Sequence, residues 1–246
     1  MKTLTLMRGK SRSAGNEARP LAPVLLHDPI RALFFRGSLP GAFVYDQAAY
    51  TLRMQVEAGA HPLDLLPLAF PASWLVNAKA VSTVFQRLVY PDALGHWESI
   101  ASLFHDRQQP WATATPDEKR GVAYAIAQLA TIPGSSLSSV TKILALLLPA
   151  QIPIMADSEA WFTTDLIVTP TAADGELGGA ELFAPMMDWY DAEQTALGTH
   201  LNELAATHQL VPLLPRQVLD RLVWYASWGV RMDPQRVGPL SNSLSD

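Results

Sequence analysis

The six residues Ile143-Leu144-Ala145-Leu146-Leu147-Leu148 constrain this chain more than any other stretch. They follow the serine-rich Ser135-Ser136-Leu137-Ser138-Ser139 and stop at Pro149, which predicts a helix from Val140 to Leu148. A helix that is apolar on every face has no side to give to water, so the rest of the chain must surround it. The means are present: 49% of the 246 residues are hydrophobic, enough for one compact unit with a substantial core. The run is also far shorter than the roughly 20 residues that cross a bilayer, so no membrane partner is expected.

The flanking sequence predicts more helices. Thr115-Pro116-Asp117-Glu118 places a capping residue, a proline and two acids where a helix should begin, and that helix runs through Val122, Ile126 and Leu129 to a stop at Ile132-Pro133-Gly134. Asp157 is placed to cap a further helix through Trp161, and two more are expected near Pro185 to Leu204 and Pro215 to Val230. Upstream, frequent prolines favour short helices and turns, with helical spacing over Ala78 to Leu88 and Leu94 to Phe104. The stretch Gly41-Ala42-Phe43-Val44-Tyr45 is a candidate strand. The expected organisation is a flexible basic tail over 1–20, an N-terminal helical lobe over 21–110 and a C-terminal helical region over 111–246, packed as one unit. The fold class is mainly α, with room for a few short strands in the N-terminal part.

Charge singles out one residue. Over 121–215 the only Lys or Arg is Lys142, against ten Asp and Glu, so this interval carries −9 within a chain whose total is −5. The remaining residues sum to +4, which weakens the objection that an acidic protein does not bind phosphate backbones. Lys142 enters the all-apolar helix, where its ammonium is partly desolvated. With Ser138 or Ser139 as N-cap, it also lies near the positive end of the helix dipole. Both effects disfavour the charged form, as a Schiff-base nucleophile requires. The competing reading is a surface lysine whose stem lies over apolar neighbours. From Lys142 to Leu148 the helix covers roughly 10 Å, and the nine residues Pro149 to Asp157 can return that distance. Asp157 can therefore face Lys142 across one cleft, or act as a plain helix cap.

Aromatic residues supply a second set of candidates. Trp161 follows Asp157 by one helical turn, and Trp224 and Trp228 are four apart on one helix face, so the three are candidates for a stacking pocket around a base or sugar. Core packing is the competing role for each. Arg231 is a candidate contact to a phosphate or base edge. The six histidines show no ligand spacing, there is no cysteine, and no Walker loop or nucleophile elbow occurs, so neither metal nor cofactor is expected. The lack of cysteine, and a start that reaches Arg8 before any apolar segment develops, lead to the expectation of a cytoplasmic protein.

Ile132-Pro133-Gly134, Lys142-Ile143-Leu144, Pro149, Ile152-Pro153-Ile154 and Asp157 together resemble the helix-hairpin-helix DNA glycosylase superfamily, and within it the compact bacterial branch related to 8-oxoguanine glycosylases. Arg216-Gln217-Val218-Leu219-Asp220-Arg221-Leu222-Val223-Trp224 resembles the C-terminal helix of that branch. Where the family hairpin reads Leu-Pro-Gly-Val-Gly, this chain reads Ile132-Pro133-Gly134-Ser135-Ser136. The resemblance implies a two-lobed helical fold, DNA as partner, a monomer, and phosphate contact at Gly134 and Ser136. It also implies cleavage of an N-glycosidic bond on a flipped nucleotide. Lys142 would attack the sugar and Asp157 would stabilise the developing charge, or Asp157 would activate water while Lys142 orients the nucleotide. The acidic segment favours an unusual substrate, such as a glucosylated base of phage DNA, and hence a role in defence. The rival reading is a non-catalytic helical module that binds DNA or protein on the same scaffold.

Overall fold

The structure is a computed structural model and describes residues 40–74, 91–155, 183–207 and 211–232. Seven α-helices and no strand are present among them. They are α1 Pro40–Glu57, α2 Leu66–Trp74, α3 Pro91–Ala101, α4 Pro116–Thr131, α5 Leu137–Leu147, α6 Phe183–Thr207 and α7 Pro215–Met232. Short 3₁₀ turns at Pro62–Leu65 and Trp111–Thr113 and a π-helical turn at Ser102–Asp106 join them. No helix of the described residues is long and apolar enough to cross a membrane.

The apolar run lies where its composition demands. From Ile143 to Leu148 every residue is buried, and α5 packs against α1, α2 and α4. One continuous cluster joins this helix to Tyr45, Ala49 and Leu52 of α1, Trp97 and Ile100 of α3, Ile126 and Leu129 of α4, Tyr190 and Leu201 of α6, and Val218 and Leu222 of α7.

Gly41–Tyr45 is a correction to the sequence reading: the expected strand is the first part of α1. A short apolar run cannot be assigned by periodicity alone. Here the helix-forming residues that follow extend it, and Tyr45, Ala49 and Leu52 fall on one buried helical face. Pro40 occupies the first helical position, where its missing N–H is harmless. The expected helix over Ala78 to Leu88 lies outside the described residues.

The hairpin from α4 to α5 is built from local signals. Thr115 accepts from the Glu118 backbone N–H while the Glu118 carboxylate accepts from the Thr115 backbone, a capping box with Pro116 at the next position. These backbone and hydroxyl donors of Thr115, with the Arg107 guanidinium, hold the Glu118 carboxyl down at about 2. After α4 ends, Ser135 N–H donates to the Ile132 carbonyl (2.8 Å), and Gly134 sits at φ +89°, a conformation that a side chain disfavours. A second capping box follows, in which Ser136 accepts from Ser139 N–H (3.1 Å) and Ser139 Oγ accepts from Ser136 N–H (2.8 Å). The cap is Ser136, not Ser138 or Ser139, and the helix begins at Leu137.

Candidate active site

That shift of the helix start changes the setting of Lys142. It lies in the second turn of α5, beyond the first turn in which the helix dipole acts. The residue is half-buried, while its neighbours Thr141 and Ile143 are fully buried. Its backbone is held from α1: the Tyr45 hydroxyl donates to the Lys142 carbonyl at 2.8 Å, across 97 residues of sequence.

The return from α5 runs alongside the same helix. Ile152 N–H donates to the Leu148 carbonyl (3.0 Å), and Met155 N–H donates to Thr141 Oγ1 (3.0 Å). Thr141 is thus shared: its hydroxyl donates to the Leu137 carbonyl one turn back (2.8 Å) and accepts from the returning chain. This bond carries Met155 back beside the residue that precedes Lys142. Asp157 and Trp161 lie outside the described residues.

Beside α5 a shallow cleft, open to solvent and with room for about one water molecule, is bounded by three elements. Among the described residues, Tyr45 and Asp46 come from α1, Ala145 with Pro149 and Ile152–Ile154 from α5 and its return, and Arg216, Gln217, Asp220 and Arg221 from α7. The lining includes Ala145 rather than Lys142, which lies a turn earlier on the same helix.

The polar side of the cleft is a network of paired charges. Arg221 binds Asp46, with side chains only 12% and 9% exposed, and Arg216 binds Asp191 of α6. Buried charges persist only when paired in this way. Leu214 N–H donates to Gln217 Oε1 (2.9 Å), which satisfies one donor at the start of α7. The Tyr190 hydroxyl lies 3.2 Å from Asp220 Oδ1 and 3.5 Å from the Ile154 carbonyl.

Asp220 is the group with altered chemistry. Desolvation raises its carboxyl from 3.8 to about 7; Arg221, the Tyr190 hydroxyl and Arg216 draw it down, and Asp46 adds repulsion. Burial first, then the Asp220 charge, pushes both the Tyr45 and Tyr190 hydroxyls well above their ordinary value, so both remain hydrogen-bond donors. A carboxyl poised near neutrality in a cleft has the properties of a proton donor or acceptor.

Gly134 and Ser136 are exposed at the hairpin, with the Ser136 hydroxyl engaged in its capping box. Trp224, Trp228 and Arg231 fall in the last turns of α7, where the described structure is confined to the backbone. Trp224 and Trp228 follow Asp220 by four and eight residues along α7. Sequence reading named Asp220 only as part of a resembling helix. The available signal was its position four residues before Trp224, but desolvation and the Tyr190 contact depend on α6. Comparison with family models, with curated proteins and with solved structures returned no match.

Proposed function

We propose that the protein is a DNA N-glycosylase that removes a damaged or modified base from a flipped-out nucleotide. The observation that carries this reading is the Met155 N–H to Thr141 Oγ1 bond, which returns the chain to the residue before Lys142. From Met155 to Asp157 is two residues, at most about 7 Å when extended. A lysine on a largely buried helix and an acid a short reach away are the pair that imine-forming base excision needs. The hairpin is in keeping with the same reading: α4, a left-handed Gly134 and a serine-capped α5 follow one another as the resemblance implies.

In this mechanism the flipped nucleotide presents C1′ to Lys142. Nζ attacks C1′ as the electron pair of the glycosidic bond leaves with the base, which takes up a proton. Deprotonation of the amine and opening of the sugar ring then give an imine between Nζ and C1′, with Asp157 stabilising the positive charge that develops at the sugar. Asp220, facing the cleft with a proton available near neutral pH, hydrogen-bonds the base or supplies its proton. Trp161, Trp224, Trp228 and Arg231 are proposed to hold the extruded nucleotide. A bulky modified base, such as the glucosylated base of an invading phage, is the proposed substrate class, and the proposed setting is the cytoplasm, with the protein acting as a monomer.

The test is borohydride trapping with oligonucleotides and phage genomes that carry different modified bases. A covalent adduct is expected, absent in Lys142→Gln, with base release falling by at least about 10³-fold. Base release undiminished in both Lys142→Gln and Asp157→Asn overturns the site. Release without trapping, lost in Asp157→Asn, assigns the attack to water instead. One observation favours a second reading, a non-catalytic DNA-binding module: the described cleft wall contains Ala145 in place of Lys142. Tight DNA binding with no base released from any substrate is its signature.

A further inference from the structure

A second group of chemistry-bearing side chains lies at the junction of the Pro62–Leu65 turn and the end of α3. His61 precedes the turn, and His105 and Asp106 close the π-helical turn Ser102–Asp106. His61 Nε2 is 3.2 Å from Asp106 Oδ1, and the rings of His61 and His105 meet edge to face with centroids 4.9 Å apart. One donor atom from each of the three residues lies within 4.8 Å of the others. Tetrahedral coordination at about 2.0–2.1 Å sets donor atoms roughly 3.4 Å apart. The His61–Asp106 pair therefore already has that spacing, and a modest rotation of His105 completes it.

The surroundings suit an ion. The side chains of His61 and Asp106 are 39% and 51% exposed, so an ion enters from solvent and keeps water in its remaining position. The π turn is widened relative to an α-helix, a device common at functional sites. Here it brings the consecutive residues His105 and Asp106 to the same neighbour, His61. Two imidazoles in contact give each other no charge complementarity, whereas a cation between them and a carboxylate does. His61 Nδ1 accepts from Leu63 N–H at 3.3 Å, so Nε2 carries the proton of the neutral ring that faces Asp106. Binding replaces that proton and shifts it to Nδ1, at the expense of this long backbone bond.

We propose that His61, His105 and Asp106 form a binding site for one divalent transition-metal ion, best matched by Zn²⁺ on its imidazole and carboxylate donors. The ion ties the turn before α2 to the end of α3, independently of the glycosylase reading. Calorimetric titration of the full chain with Zn²⁺ is expected to show one equivalent bound more tightly than about 100 µM, with a rise in melting temperature. His105→Ala and the exposed Asp106→Asn are each expected to weaken binding at least about tenfold and to abolish the thermal shift. Co²⁺ absorption in the visible range reports the same loss of four-coordinate geometry. No binding at that level, or an unchanged affinity in folded Asp106→Asn, overturns the site.

Discussion

The α4–α5 hairpin and the cleft wall opposite it are held together by different forces. In the hairpin the turn and both helix caps are made by residues close in sequence. Two capping boxes span three residues each, one glycine turns the chain, and the buried side chains of α5 are apolar except for Thr141. In the cleft wall, the contacts join residues far apart. Arg221 meets Asp46 across 175 residues and Tyr190 meets Asp220 across 30. The first region can form from local preference and hydrophobic burial. The second exists only once α1, α6 and α7 have been brought together, and its charges are tolerable only in that arrangement. An apolar hairpin positions groups, whereas a desolvated network changes how readily they exchange protons.

The largest separation between the two regions should come from breaking one long-range ion pair. Arg221→Met leaves the Asp46 carboxylate buried without its partner and is expected to lower stability by about 3–5 kcal/mol in urea unfolding. The double change Asp46→Leu/Arg221→Met should recover most of that loss, because no uncompensated charge remains. A double variant as unstable as the single one would show that the pair is not the source of the effect.

The next effect concerns Asp220. Its carboxyl is raised from 3.8 to about 7 in the folded state, so the unfolded chain releases this proton first as pH rises. Its contribution to stability therefore declines between pH 4 and pH 7 and levels off above. In Asp220→Asn that decline is removed, and the variant should gain on the wild type by roughly 2–4 kcal/mol between pH 4 and pH 8. A constant difference across this range would place the carboxyl at its ordinary value. The smallest effect belongs to the hairpin: Ser136→Ala removes one cap and should lower stability by about 1 kcal/mol, independent of pH over the same interval.

Particular residues show how far the sequence could be read. Thr115 and Pro116 announced the start of α4, Ile132-Pro133-Gly134 its end, and Pro215 the start of α7, because caps, prolines and left-handed glycines act within a few residues of themselves. The serine-rich approach to α5 points to Ser138 or Ser139 as the cap, and only the hydrogen bonds identify Ser136. Gly41–Tyr45 was misread as a strand, since five apolar residues carry too little period to decide. Asp220, Arg216 and Arg221 carried no mark of their role, and the approach of His61 to His105 and Asp106 was invisible in histidine spacing. The Lys142–Asp157 pairing is a sequence inference with one structural support, the return of Met155 to Thr141.

The amino-acid sequence by itself determined that this is a helical protein organised around an apolar segment led by an isolated lysine. Those properties arise from backbone propensity, capping and the need to remove contiguous apolar surface from water. The tertiary structure alone decided which charges are buried together, which carboxyl is desolvated enough to hold a proton near neutrality, and which histidine meets Asp106. Pairing and desolvation depend on distance in space, and distance along the chain does not encode it.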